Sequence, residues 1–217
     1  MKRNQQDQQE KFVTLYETAK RCLLILDHLY TDLENGTSLA SDATKVENDS
    51  SIVPGIYIAA LGLIDYFHRF NGIVSAMPLI RKDRPELKKL GTAIKSVKDC
   101  RNYLQHMCDD LKQSGPIEYP ILGSISWIFE GRHYILLSNQ ATQDWSASGI
   151  AYDRFAEKYI CSYQLVVGGS EIQIDNVYTA VKSFWAWLEK SFAIEPSHIK
   201  DYTWGKPTII QSEFRKV

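Results

Sequence analysis

The sequence is poor in the features that predict disulfide bonds, structural metal sites or membrane anchors. Its four cysteines form no CxxC pair and show no regular spacing, which indicates neither a zinc knuckle nor a disulfide framework and fits a reducing compartment. The longest apolar run, residues 56–64, is too short to span a bilayer, and the polar start MKRNQQDQQEKF lacks the apolar stretch of a signal peptide. We therefore expect a cytoplasmic protein with no membrane contact, no metal site and no cofactor.

Net charge is also nearly absent, because 25 basic residues are balanced by 26 acidic ones. The chain thus lacks the bulk basicity of a protein that coats DNA. Basic residues are nevertheless concentrated between residues 81 and 101, where eight of them stand against three acidic ones. This stretch is either a local surface that attracts phosphate groups or an ordinary solvated helix face.

Apolar residues at helical spacing predict three long helices in the first half of the chain. Each has a typical start or stop signal, such as Asn35-Gly36 at the end of the first helix or Pro85 in the first turn of the third. The polar connection between the first two helices is predicted to be irregular and mobile. The predicted helices cover residues 5–34, 55–77 and 85–113.

The second half has the composition of antiparallel strands, rich in aromatic and β-branched residues. Glu130-Gly131 and Gly168-Gly169-Ser170 are the expected hairpin turns, and Asp175 or Asn176 is the expected cap of a closing helix. The aromatic side chains here are expected mainly to pack within the sheet rather than to stack on bases. The predicted strands cover residues 123–129, 132–138, 157–167 and 171–174.

These segments predict an α+β fold. The helical region is expected over residues 1–115 and the β-rich region with its terminal helix over residues 116–217, either as two units or as one integrated domain. The stretch from Glu195 onward is short, mixed and punctuated by proline, and no structure is assigned to it.

The predicted third helix has two opposite faces, because successive side chains rotate by about 100° around its axis. Arg101 and His106 lie at the two edges of the polar face with Asn102 between them, so that all three can reach a common ligand. The apolar face contains Leu90, Ala93, Val97, Cys100, Leu104, Cys108 and Leu111. The polar face contains Lys88, Lys95, Lys98, Arg101, Asn102, Gln105, His106 and Asp109.

The polar face includes the segment RNYLQH, residues 101–106. It resembles the signature of the HEPN superfamily (higher eukaryotes and prokaryotes nucleotide-binding), which is Arg, four to six residues, then His, often with Asn after the Arg. The resemblance covers residues 5–115 in architecture and these six residues in motif. It implies a metal-independent endoribonuclease of a toxin or defence system, which acts on single-stranded RNA as a homodimer with the motifs of both copies in one site.

The residue types suit that chemistry. RNA can be cut without a metal when its 2′-hydroxyl attacks the adjacent phosphorus, which requires proton transfer and a cation beside the developing charge. His106 can move the proton, Arg101 can bind the phosphate oxygens and Asn102 can orient either group. RNA binding is assigned to Lys88, Lys95, Lys98 and Gln105, and support of the catalytic residues to Asp65 and Asp109.

Two other interpretations remain open from the residues alone. In one, a non-catalytic protein of the same fold binds RNA or a protein partner. In the other, the chain is a structural interaction module, in which Arg101 pairs with Asp65 or Asp109 and His106 is an ordinary exposed residue. Asp65 and His68, three residues apart, could also approach a metal or the motif, but no other ligand has a diagnostic spacing.

A regulatory protein such as an antitoxin is a further partner class that the resemblance suggests. Many toxins of this superfamily that pair with a nucleotidyltransferase antitoxin carry Tyr two positions after the His. This chain has Cys108 at that position, so the resemblance does not extend to that particular partner. Cys100 and Cys108 are both expected to be small core residues rather than nucleophiles.

Overall fold

The computed structural model describes residues 2–110, 112, 121–138, 150–167 and 169–192. The predicted α+β class is confirmed: helices fill the N-terminal half, and an antiparallel sheet and a C-terminal helix follow. The helices are α1 (Lys2–Ala40), α2 (Ala43–Asn48), α3 (Ile52–Ser75), α4 (Pro85–Ala93), α5 (Lys95–Asp110) and α6 (Ile174–Ser191). The strands are β1 (Ser124–Phe129), β2 (Arg132–Leu137), β3 (Tyr152–Asp153), β4 (Lys158–Tyr159), β5 (Tyr163–Val167) and β6 (Ser170–Gln173).

The first helix is longer than the sequence predicts. It was expected to stop at Asn35-Gly36, but α1 continues through this pair to Ala40. A Cβ atom on Gly36 would lie 2.9 Å from Cγ1 of Ile56 in α3, so the missing side chain allows the two helices to approach closely. Gly36 therefore serves helix packing, and the prediction of a helix stop was wrong.

The connection between the first two long helices is more ordered than expected. It was predicted to be irregular, yet it contains α2, whose N-terminus is capped by Asp42. The Asp42 carboxylate accepts a hydrogen bond from the backbone N–H of Thr44 at 3.1 Å. The following helix, α3, lies within a few residues of its predicted position and is the most buried of the long helices.

The predicted third helix is divided in two. It begins at Pro85 as expected, but α4 ends at Ala93 and α5 begins at Lys95, with the buried Ile94 between them. Gly91 and Thr92 just before the break are weak helix formers, which lowers the cost of ending α4 there. The break allows α4 to pack on α6 while α5 packs on α3 and on the sheet.

The main sheet is antiparallel, with the strand order β2-β1-β5-β6. The first predicted hairpin is confirmed, and both of its turn residues, Glu130 (φ 48°) and Gly131 (φ 73°), adopt the left-handed conformation of a two-residue turn. The second was only partly correct, because the single strand predicted over residues 157–167 is divided. Its first part pairs with β3 in a separate two-stranded sheet, and only Tyr163–Val167 pairs with β6.

The closing helix begins at Ile174, so neither expected residue is its cap. Asp175 lies inside the first turn, and its carboxylate accepts hydrogen bonds from the backbone N–H groups of Ser162 and Tyr163, at 3.0 and 3.3 Å. Asp175 thus ties α6 to the start of β5. Apolar residues at helical spacing face the core along this helix, with Val177, Val181, Phe184 and Leu188 buried.

Helices and sheet share one continuous core. Across it, the hydroxyl of Tyr57 in α3 donates to the backbone carbonyl of Gly123 at 3.2 Å, and Nε1 of Trp127 donates to Oγ of Ser41 at 2.9 Å. Trp127 is buried and stacks on Tyr134 with ring centroids 5.5 Å apart, as expected for a sheet-packing aromatic residue. Trp145, another aromatic residue of the predicted β-rich region, and the stretch from Glu195 lie outside the described residues.

Gly123 gives a test of how tightly the sheet is packed. It has φ 83°, and a Cβ atom there would lie 2.1 Å from the carbonyl oxygen of Val166 in β5. Gly123→Ala should therefore lower the free energy of unfolding by at least about 2 kcal/mol, from backbone strain and displacement of β5 together. Gly131→Ala is the matched control, because its φ is also positive but no other atom is within 4 Å. Equal losses for the two variants in urea unfolding would contradict the packing described here.

Candidate functional site

The candidate site lies where α5 packs on α3. Val97 and Cys100 of α5 are buried in the core, which turns the opposite face of the helix to solvent. Asn102, Gln105 and His106 are exposed on that face, as the helical periodicity predicted. Lys95, Lys98 and Asp109 are exposed on the same helix, whereas Lys88 lies beyond the break, on α4.

Arg101 is the best-anchored residue of the motif. Its side chain is 23 % exposed, and its Nε donates to Oδ1 of Asp65 in α3 at 3.1 Å. Its Nη1 donates to Oε1 of Gln105, one turn further along α5, at 3.1 Å. Its Nη2 makes no hydrogen bond to another described residue. The guanidinium is therefore held from two sides, with one group still available to a ligand.

Asp65 is the acceptor that organises this cluster. Its second oxygen, Oδ2, accepts from Nε of Arg69 one turn along α3. Burial alone would raise the pKa of the Asp65 carboxyl, but the hydrogen bonds and charges of Arg69 and Arg101 outweigh it and lower the pKa. Asp65 thus stays ionised at neutral pH and keeps both arginines in place.

His106 and Asn102 differ from Arg101 in having no protein partner in the described residues. Both side chains are exposed on α5, and neither makes a hydrogen bond to another described residue. An exposed side chain can meet a ligand without any rearrangement of the core. The structure thus brings a fixed cation and two accessible polar groups to one helix face.

The other predicted site residues have mixed outcomes. Gln105, expected to bind RNA, is instead the acceptor that orients Arg101. Asp109 pairs with Lys112 at 2.8 Å, so the carboxylate beside Arg101 is Asp65. Cys108 was expected in the core but is exposed, because the last turn of α5 no longer packs on the core. Cys100 is buried as expected, and burial raises the pKa of its thiol to about 12, which keeps it unreactive.

Two residues of α3 next to Asp65 complete the surroundings. Arg69 was not a predicted site residue, although its spacing of four from Asp65 on a helix was the available signal. His68 is partly buried, and this burial lowers the pKa of its ring, as do the charges of Arg101, Lys98 and Arg69, while Asp65 acts in the opposite direction. The ring is therefore mostly neutral at pH 7 in the isolated chain.

Within the described ranges, no three His, Cys, Asp or Glu side chains come together as a group that could hold a metal ion. Among the helices described, none is both long and apolar enough to cross a membrane. Comparisons with protein-family models, with curated proteins and with solved structures find no match to this chain. No relative's function can therefore be transferred to it.

Proposed function

We propose that the protein is a HEPN-like, metal-independent endoribonuclease that cleaves single-stranded RNA, in the manner of a toxin or defence protein. The observation that carries the proposal is the placement of Arg101. Its guanidinium is held by Asp65 and Gln105 on the same exposed helix face as Asn102 and His106. A cation fixed in advance on the same helix face as an accessible histidine is the minimum that this reaction needs.

In the proposed reaction the 2′-hydroxyl of RNA attacks the adjacent phosphorus, and the bond to the 5′-oxygen of the next nucleotide breaks. The products are a 2′,3′-cyclic phosphate and a 5′-hydroxyl end. Arg101 stabilises the negative charge that develops on the phosphate oxygens, and His106 serves the proton transfer, in which the proton lost by the 2′-hydroxyl is balanced by the proton gained by the departing 5′-oxygen. Asn102 orients the phosphate or the imidazole. Lys95 and Lys98, exposed on the same helix, attract the RNA backbone.

The second candidate is a non-catalytic module of the same fold that binds RNA or a protein. The Arg101–Asp65 ion pair is the observation that favours this candidate, because such a pair can link two helices without any role in catalysis. The candidates differ in one experiment, in which purified protein is incubated with single-stranded RNA and with DNA of the same sequence in EDTA. The ribonuclease should cut only the RNA, because DNA lacks the 2′-hydroxyl. Intact RNA with salt-sensitive binding would indicate the binding module, and no binding at all a structural module.

The assembly is a separate prediction. One exposed helix face with a single histidine makes a shallow site, whereas two-fold pairing doubles the catalytic groups and forms a cleft. We therefore expect a homodimer with α5 near the two-fold axis. One chain has a mass of 24.9 kDa. Light scattering over a series of micromolar concentrations should give twice this mass. A strict monomer throughout that series, in a preparation that cuts RNA, would show that one copy suffices.

A further inference from the structure

One carboxylate bridges two arginines at the edge of the candidate site. Oδ1 of Asp65 accepts from Nε of Arg101, and Oδ2 accepts from Nε of Arg69. Both bonds use the Nε edge of the guanidinium. The Nη groups of Arg69, whose side chain is 57 % exposed, and Nη2 of Arg101, whose side chain is 23 % exposed, make no hydrogen bond to another described residue. Because both donate to the same carboxylate, the guanidinium groups of Arg69 on α3 and Arg101 on α5 lie close together.

The surrounding charge is strongly one-sided. Lys98, Arg69 and Arg101 surround His68 against the single carboxylate of Asp65, and the charges of all four act on the imidazole. The other titratable groups that act on Arg69 are Tyr66, whose ring centroid is 5.8 Å from the guanidinium carbon, and Cys22 of α1, a buried thiol whose pKa is raised by its burial. A cluster with three cations and one anion attracts a further anion, and the guanidinium group of arginine matches the geometry of phosphate.

We propose that Arg69 of α3 forms a second phosphate-binding position beside Arg101, so that one protomer contacts two neighbouring phosphates of the same RNA strand. The inference rests on the proposed function for its choice of RNA as ligand. Arg101 engages the phosphate that reacts, and Arg69 engages the adjacent one. This second contact positions the strand and supplies affinity, whereas it leaves the chemical step to the motif on α5.

The electrostatics of His68 support this arrangement. In the isolated chain the pKa of His68 is lowered by burial first and then by the neighbouring cations, against the opposing charge of Asp65. A bound phosphate brings negative charge to the same position and favours the charged ring, so binding should raise the pKa of His68. Binding of RNA should therefore be accompanied by proton uptake and should weaken as the pH rises through the raised pKa. An Arg69 that served only as an exposed intrahelical ion pair would have neither effect.

The test measures binding without cleavage. The probe is a single-stranded RNA with 2′-O-methyl groups, which the proposed reaction cannot cut, and its affinity is followed by fluorescence anisotropy as a function of salt. Arg69→Gln should lower the slope of log affinity against log salt by about one and weaken binding. Arg69→Lys, which keeps the charge, should retain most of the slope. Arg154→Gln is the matched control, because Arg154 is exposed in the turn between β3 and β4, outside α3 and α5.

A second readout follows His68 directly. Among the five histidines of the chain, its ring resonance can be assigned in NMR spectra by its loss in His68→Gln. Its pKa should rise when the 2′-O-methyl RNA is added to the wild-type protein, and should rise less in Arg69→Gln. These effects are independent of catalysis, so the binding position and the ribonuclease activity can be judged separately.

The outcomes separate the two proposals. If the wild-type protein cuts unmodified RNA but Arg69→Gln keeps the wild-type salt slope and His68 does not respond, the second phosphate position is wrong and the ribonuclease stands. If the slope and the His68 shift depend on Arg69 but no RNA is cut, the binding position stands and the proposed activity is wrong. Absence of any RNA binding by the wild-type protein overturns both.

Discussion

His106→Ala should lower the rate of RNA cleavage by about 10² to 10⁴, because positioned proton transfer typically contributes a factor of this size. Arg101→Ala should cause a loss of similar order, since it removes the fixed cation from the transition state. Asn102→Ala should cost less, because this side chain only orients other groups. His133→Ala is the matched control, since His133 is equally exposed but lies on β2. Single-turnover cleavage in EDTA measures all four variants.

These losses should occur without loss of the fold. His106 and Asn102 are exposed and make no hydrogen bond to another described residue, so their removal should change the free energy of unfolding by no more than about 1 kcal/mol. If His106→Ala or Arg101→Ala instead unfolds the protein, and the wild-type protein cuts no RNA, the motif is structural and the ribonuclease proposal should be abandoned.

Phe67→Ala should have the opposite profile, with a large loss of stability. Phe67 of α3 is fully buried in the core, with 0 % exposure. Its truncation should lower the free energy of unfolding by about 3–5 kcal/mol, from lost burial and the cavity that remains. Urea unfolding followed by tryptophan fluorescence measures the change.

Ile58→Ala is the matched control for this core substitution. Ile58 lies on the same helix but is 69 % exposed, so its truncation should change stability by less than about 0.5 kcal/mol. Similar small losses for both variants would mean that α3 is not the central helix of the core, and would also remove the support on which Asp65 and Arg101 depend.

Much of the fold follows from periodicity in the sequence. The long apolar run of α3 and the Pro85 start of α4 predict helices where the structure has them, and the Glu130-Gly131 pair predicts the hairpin turn. These signals are local, because each depends on residues within one or two turns of the chain. The exposed arc with Asn102, Gln105 and His106 was predictable for the same reason.

The errors concern features that depend on contacts between distant segments. Gly36 has the sequence signal of a helix stop, but its role is set by Ile56 in α3, which no local pattern reveals. The break at Ile94 follows from α4 and α5 packing on different neighbours. Asp175 was expected to cap its own helix, yet it serves the backbone at the start of β5.

The same distinction between local signals and contacts of distant segments applies to the candidate site. The spacing within α5 predicted which side chains share a face, and Asp65 was an expected supporting residue of Arg101. The Asp65–Arg69 pair follows from a spacing of four within α3, whereas the choice of Asp65 over Asp109 as the partner of Arg101 was not predictable, because it depends on how α3 lies against α5. Gln105 likewise has a different role from the expected one, since its amide oxygen is used to orient Arg101.

The most direct test compares wild-type protein with His106→Ala, purified side by side, on single-stranded RNA in EDTA, with chemical analysis of the new RNA ends. The wild-type protein should produce 2′,3′-cyclic phosphate and 5′-hydroxyl ends, and the variant should produce them more slowly by about 10² or more. Equal cleavage by both preparations would assign the activity to a contaminant or to other residues. No cleavage by the wild-type protein would contradict the proposed ribonuclease outright.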